Sequence, residues 1–106
     1  FISLNIAWDS PASCAAWVAY CNADGRHPWG RRRIARGHAA PFGVRHWSLG
    51  NEIGYSHMEG GGRPAAYARK AAACVAAMRA VDPGLILVSS GNWDRPDPGR
   101  GFPGAA

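Results

Sequence analysis

The pattern of apolar and polar segments along the chain predicts three buried strands and two long helices. Residues 1–7, 44–52 and 85–90 have the sequences FISLNIA, VRHWSLGNE and LILVSS, and none of these short runs alternates strictly between apolar and polar positions. Such runs are typical of strands covered on both faces, as in a parallel sheet. We therefore predict a sheet of three short parallel strands.

Helical periodicity is visible in the two segments that separate these runs. Ser10 and Pro11 indicate a helix start, because serine caps a first turn and proline fits the first helical position. This helix is predicted to end near residue 22, and its apolar face consists of Cys14, Trp17, Val18 and Cys21. A second helix is predicted over residues 64–81, with an apolar face made of Tyr67, Ala71, Cys74, Val75, Met78 and Val81. Residues 23–43, rich in Gly, Pro and Arg, are expected to form an irregular connection.

The order β-α-β-α-β places the chain in the α/β class, with right-handed helical crossovers between parallel strands. The carboxyl ends of parallel strands meet at one edge of the sheet, where α/β proteins bind their ligands. Indole rings stack on the apolar faces of sugars, amides bond to hydroxyl groups, and a carboxylic acid can protonate a leaving oxygen. Side chains of these kinds are predicted at this edge: Asn5, Trp8, Asn51, Glu52, Asn92 and Trp93.

The basic charge of the chain supports a second hypothesis. Twelve basic residues against seven acidic ones give a net charge of +5, and five arginines fall within residues 26–36. One interpretation is a basic nucleic-acid-binding module, in which Arg26–Arg36 contacts phosphates and exposed tryptophans stack on bases. The more common interpretation is a solvated arginine-rich loop. Because this cluster precedes a strand, it is expected at the edge of the sheet opposite the predicted sugar site.

The cysteines and histidines indicate neither a metal site nor a disulfide framework. Three cysteines, an odd number, have no C-x-x-C spacing, and they are expected to be small buried residues of a protein from a reducing compartment, the cytoplasm. The four histidines, His27, His38, His46 and His57, are irregularly spaced, so neither a metal nor a cofactor is predicted.

Most of the chain resembles the retaining glycoside hydrolases of clan A, a (β/α)8-barrel group, and within that clan the α-L-arabinofuranosidase family. The segments that carry this resemblance are AAWVAYCNADG at residues 15–25, PWGRRRIARGHAAPFGVRHWSLGNE at residues 28–52, and AYARKAAACVAAMRAVDPGLILVSSG at residues 66–91. The long context ending in W-x-L-G-N-E is much more specific than an Asn-Glu pair alone.

The resemblance implies a role for several residues and for the chain as a whole. Glu52 is expected to be the general acid/base, and Asn51 is expected to bond to the 2-hydroxyl of an arabinofuranosyl or related plant-polysaccharide sugar. The family's nucleophile is a second glutamate at the end of the seventh strand. Residues 1–106 would supply about strands 3 to 5 of one catalytic barrel, with no second domain. The expected fold is thus a partial, unclosed barrel that is inactive alone.

Overall fold

A computed structural model describes residues 1–51 and 64–90 of the 106-residue chain. In these residues the chain forms three strands and three helices in the order β-α-α-β-α-β. The elements are β1 (Ile2–Ser3), α1 (Pro11–Asn22), α2 (Pro28–Ala35), β2 (His46–Leu49), α3 (Pro64–Val81) and β3 (Ile86–Ser89).

The three strands form one parallel sheet in the order β1-β2-β3, as the sequence pattern predicted. In the register of this sheet, Trp47 of β2 is the partner of Ile2 in β1 and of Leu87 in β3, and Ser48 begins the next row. Each strand is shorter than its apolar run. All three nevertheless point the same way, so their carboxyl ends share one edge of an open sheet.

Both predicted helices are confirmed, and the start of α1 has the expected cap. The Ser10 hydroxyl oxygen accepts a hydrogen bond of 3.1 Å from the Ser13 backbone N–H, and Pro11 occupies the first position. Serine in this role satisfies a donor that the first helical turn leaves unpaired. α1 and α3 together bury one face of the sheet, and the core between them includes Trp47, Leu49, Val18 and Met78.

Two expectations about burial are wrong. Trp17, placed by periodicity on the apolar face of α1, is 50% exposed, and Ala19 is buried instead. The second face of the sheet is not covered within residues 1–51 and 64–90, since His46, Ile86 and Val88 are all exposed there. In a closed (β/α)8 barrel this second face is the interior, which the other strands of the barrel fill.

The segment expected to be irregular contains a helix, α2. His27 caps this helix, because its Nδ1 accepts a 3.1 Å hydrogen bond from the Trp29 N–H, and Pro28 takes the first position. The helix lacks an apolar stripe, and the residues it buries are Gly30 and Arg33. A Cβ atom at position 30 would lie 2.0 Å from the Asp24 carbonyl oxygen, so only glycine permits this contact.

Arg33 is fully buried, which contradicts the expectation of a solvated arginine-rich loop at this position. Its guanidinium donates to two carbonyl oxygens at the end of α1, those of Tyr20 at 3.0 Å and Ala23 at 2.6 Å. It also donates to the carbonyl oxygens of His38 at 2.9 Å and Ala39 at 3.3 Å. One side chain therefore joins the end of α1 to the segment that leads into β2.

Asn22 fixes the amino-terminal edge of the sheet. Its side-chain oxygen accepts from the Val44 N–H and its amide donates to the Val44 carbonyl, both at 2.8 Å. The same amide nitrogen lies 3.0 Å from a carboxylate oxygen of Asp82, just after α3. The ends of α1 and α3 and the approach to β2 are thus held together, which sets where β2 begins.

All three cysteines are buried free thiols, as expected. The sulfur atoms of Cys14 and Cys74 lie 3.6 Å apart between α1 and α3. Burial, followed by the hydrogen bond to Cys74, raises the pKa of Cys14 to about 12, so this thiol stays protonated at neutral pH and acts as a small core residue. No helix in the described ranges is long and apolar enough to cross a membrane.

Candidate functional site

The carboxyl-terminal edge of the sheet presents three of the six residues expected for a sugar site. After β1 the chain makes a turn in which the Asn5 carbonyl oxygen accepts from the Trp8 N–H at 3.0 Å and from the Asp9 N–H at 2.9 Å. The Asn5 side chain is exposed, and Trp8 is 69% exposed. An amide and an indole are therefore accessible just beyond the first strand.

Asn51 follows β2 at the same edge and is exposed. The residue before it, Gly50, is buried and has a φ of +95°, a backbone conformation that costs little only for glycine. The Ser48 hydroxyl donates a 2.8 Å hydrogen bond to the Gly50 carbonyl and holds this turn. Glycine at position 50 thus has a structural cause, because it turns the chain at the point where Asn51 becomes exposed.

Tyr67 on α3 joins the ends of two strands. Its buried hydroxyl donates to the Leu49 carbonyl at 2.8 Å and accepts from the Ser90 N–H at 2.8 Å. Burial raises the pKa of Tyr67, so the hydroxyl stays protonated and remains the donor to the Leu49 carbonyl. Lys70, one turn later, lies 3.4 Å from the Ala7 carbonyl beyond β1, so α3 contacts the chain at all three strand ends.

Sequence reasoning placed Tyr67 only among the apolar positions of a helix and missed this role. The available signal was the residue type, because a buried tyrosine needs a hydrogen-bond partner for its hydroxyl, whereas phenylalanine does not. The apolar face of the predicted helix alone did not indicate which backbone groups would be the hydrogen-bond partners of this hydroxyl.

Replacement of Tyr67 by phenylalanine is expected to destabilise the strand ends. The ring would still fill its place in the core, but the Leu49 carbonyl and the Ser90 N–H would lose their buried partner, at a cost of about 1–3 kcal/mol. Urea unfolding measures this loss. Tyr20→Phe, at a half-buried tyrosine on α1, is the matched control and should change stability by less than about 0.5 kcal/mol. Equal stability of the two variants would contradict the bridging role of Tyr67.

Half of the predicted site residues can be placed. Asn5, Trp8 and Asn51 lie at the shared edge of the sheet and are exposed. The expectations for Glu52, Asn92 and Trp93 fall outside the described residues, although residues 52 and 92 follow closely on the ends of β2 and β3. The described part of the edge accordingly presents two exposed amides and one exposed indole beyond the ends of β1 and β2.

Parallel β-α-β units with polar groups at the carboxyl ends of the strands are typical of α/β enzymes, among them the (β/α)8 barrels. A sequence model described as the alpha-L-arabinofuranosidase 1 domain matches residues 8–104. The chain therefore belongs to the alpha-L-arabinofuranosidase 1 domain family.

Individual relatives agree with this assignment. The chain is 30% identical over 99 residues to the probable alpha-L-arabinofuranosidase C of Aspergillus flavus, a match that covers 89% of the chain and 20% of the relative. It is 35% identical over 75 residues to the intracellular exo-alpha-(1->5)-L-arabinofuranosidase 1 of Bacillus subtilis, covering 71% of the chain and 15% of that protein.

Solved structures show the same fold. The alpha-L-arabinofuranosidase of Thermotoga maritima, in complex with arabinose, is similar with a TM-score of 0.73 at 30% identity over 84% of the chain and 18% of that structure. A family 51 enzyme from Bifidobacterium longum has a TM-score of 0.74 at 25% identity, covering 89% of the chain and 19% of the structure. The chain thus spans about a fifth of the length of these relatives. It is a glycoside-hydrolase-like segment of an α/β barrel.

Proposed function

We propose that this chain supplies the acid/base part of an α-L-arabinofuranosidase that cleaves glycosidic bonds with retention of configuration. Glu52 is the general acid/base and Asn51 bonds to the sugar 2-hydroxyl. Asn5, Trp8, Asn92 and Trp93 contact the sugar. The nucleophile is a carboxylate from another part of the barrel, contributed outside these 106 residues.

The observation that carries the proposal is the anchoring of the chain directly before Glu52. Tyr67 holds the Leu49 carbonyl, Gly50 turns the backbone, and Asn51 is exposed at the strand end, one residue before the glutamate. A catalytic acid must be held within a few tenths of an ångström of its working position, which a strand end achieves better than a free loop. The family membership and the exposed indole of Trp8 support a sugar as the ligand.

The chemistry assigned to these residues follows the two-step scheme of retaining glycosidases. The outside carboxylate attacks the anomeric carbon while the Glu52 carboxylic acid gives its proton to the leaving oxygen, so that the glycosidic bond breaks and a glycosyl-enzyme ester forms. The Glu52 carboxylate then takes a proton from water as the water attacks the same carbon and releases the sugar. Both steps need two carboxyl groups about 5–5.5 Å apart.

Assays of the complete natural polypeptide that contains this chain test the proposal. It should hydrolyse an aryl α-L-arabinofuranoside, whereas an aryl β-D-xylopyranoside serves as the control for a different pentose ring. The isolated 106-residue segment should show no turnover above the uncatalysed reaction, because the proposal places the nucleophilic carboxylate outside this segment. Turnover by the isolated segment would contradict an outside nucleophile. Preference of the complete polypeptide for the xylopyranoside would contradict the assigned sugar.

A further inference from the structure

A groove of about 590 Å³ lies on the side of the molecule between α1 and α2. Ala12 and Ala16 contribute small side chains to it, while Trp17 and Trp29 contribute large aromatic ones. Trp17 is 50% exposed and Trp29 is 36% exposed, so both indoles can be reached by a ligand. The groove is separate from the strand-end site, because its residues belong to the helices and none follows a strand.

Arginines add positive charge to this groove. The guanidinium of Arg32 lies 4.4 Å from the centroid of the Trp29 ring, and that of Arg36 lies 5.9 Å from the centroid of Tyr20, within the range of cation–π attraction. Arg36 and Tyr20 both line the groove. Within the described residues, the guanidinium N–H groups of Arg32 and Arg36 make no hydrogen bond, so they are available to a ligand.

No carboxylate of the described residues neutralises the positive charge of Arg32 or Arg36. Within residues 1–51 and 64–90, the ion pair that the structure shows is the one between Arg26 and Asp24, at 2.7 Å. Neither Arg32 nor Arg36 pairs with a carboxylate in those ranges. A guanidinium beside an apolar groove can therefore donate two parallel hydrogen bonds to a carboxylate of a ligand.

We propose that this groove binds an acidic oligosaccharide, one that carries uronic-acid carboxylates among its sugars. The indoles of Trp17 and Trp29 stack on sugar rings, and Arg36 bonds to a uronate carboxylate. A single lining guanidinium matches a ligand with sparse charge better than a nucleic acid, which has a phosphate at every unit. The proposal rests on the carbohydrate substrate proposed above and adds a second binding site for the same class of polymer.

The position of the groove relative to the strand-end edge indicates a function for the site. Ala12 is in the first turn of α1, and in a right-handed β-α-β unit this turn lies at the strand-end edge of the sheet. A glycan chain held in the groove therefore has one end near the edge that carries Trp8 and Asn51. Holding a polymer beside the catalytic edge raises the local concentration of cleavable side groups.

Binding to the complete natural polypeptide tests the proposal, with isothermal titration of a xylo-oligomer that carries one glucuronic acid substituent (the acidic oligomer) and of the same xylo-oligomer without it (the neutral oligomer). Trp17→Ala should raise the Kd of the acidic oligomer about tenfold through the loss of one stacking surface. Arg36→Gln should remove the preference for the acidic over the neutral oligomer. Arg79→Gln, at an exposed arginine in the last turn of α3, makes the same charge change away from the groove and should have no effect. Hydrolysis of the aryl α-L-arabinofuranoside, which has a single sugar for the strand-end site, should be the same in Trp17→Ala, Arg36→Gln and the parent, which separates the groove from catalysis.

Three results would overturn the proposal. In the first, the Kd of the acidic oligomer is unaffected by Trp17→Ala and Arg36→Gln. In the second, an oligothymidylate binds more tightly than the acidic oligomer and loses affinity in the same two variants, which would make the groove a nucleic-acid interface. In the third, acrylamide does not quench the fluorescence of Trp17, measured as the difference in emission between the parent and Trp17→Ala. This result would mean that the rest of the polypeptide covers Trp17.

Discussion

Glu52→Gln in the complete natural polypeptide is expected to lower kcat/KM for an alkyl α-L-arabinofuranoside by about 10²–10⁴-fold. Glutamine keeps the size of the side chain but has no proton of suitable acidity for a leaving alkoxide. The loss should be much smaller for a 2,4-dinitrophenyl arabinofuranoside, whose leaving group departs as a stable anion without protonation. Steady-state kinetics across a series of leaving groups measures this dependence as the slope of log kcat/KM against leaving-group pKa.

The chain offers a matched control for this substitution. Glu59 is its only other glutamate, seven residues later, so Glu59→Gln makes the same chemical change in the same stretch of sequence. We expect Glu59→Gln to leave the leaving-group dependence unchanged. An equal loss on activated and unactivated substrates in Glu52→Gln would contradict the acid role and assign Glu52 to binding or folding. A loss of similar size in Glu59→Gln would move the assignment to that residue.

The fold was predictable where the local signal and the tertiary structure agree. Ser10 and Pro11 mark the start of α1 by chemistry that needs no distant partner, and the apolar runs around Trp47 and Leu87 give strands whose neighbours are also strands. The parallel arrangement then follows from the order of elements. Asn51 could be placed at the carboxyl-terminal edge of the sheet from sequence alone, because all strands of a parallel sheet end at that edge.

What could not be predicted depends on contacts between residues distant in sequence. The sequence pattern gave no sign that the Tyr67 hydroxyl would meet the backbone of both Leu49 and Ser90, 18 and 23 residues away. α2 escaped prediction because its buried positions are a glycine, which disfavours a helix, and an arginine, which is rarely buried. Trp17 has the periodicity of a core residue, yet it faces the groove beside α2, whose existence was not foreseen.

Arg33→Met should destabilise the protein by at least about 3 kcal/mol. The methionine would have a similar length, but the carbonyl oxygens of Tyr20, Ala23, His38 and Ala39 would lose their donor. Each buried acceptor left unpaired costs about 1–3 kcal/mol, less where water can reach it. The total is a large part of the 5–15 kcal/mol that typically separates folded from unfolded states. Urea unfolding of the complete natural polypeptide, with hydrogen exchange to locate the loss, provides the measurement.

The reason for so large a cost is that the partners of Arg33 are backbone atoms. A buried ion pair can often be replaced by apolar residues without loss, because both charged partners can be removed together. Here the acceptors cannot be removed, and two of them are the carbonyl groups of Tyr20 and Ala23 at the negative end of the α1 dipole. The helix end thus takes the place of a carboxylate, and the charge is compensated without an acidic side chain.

Two further variants show whether the geometry of the guanidinium matters or only its charge. Arg33→Lys keeps the positive charge, but all its donors are on one nitrogen. That nitrogen cannot reach both the end of α1 and the His38–Ala39 carbonyls. About half of the stability loss expected for Arg33→Met should therefore remain in Arg33→Lys. Arg32→Met, at the exposed neighbouring arginine that stacks on Trp29, should cost less than about 1 kcal/mol. Equal stability of Arg33→Met and Arg32→Met would refute the role assigned to Arg33. Full stability of Arg33→Lys would mean that the positive charge at the end of α1, rather than the four-way hydrogen bonding, holds α2 in place.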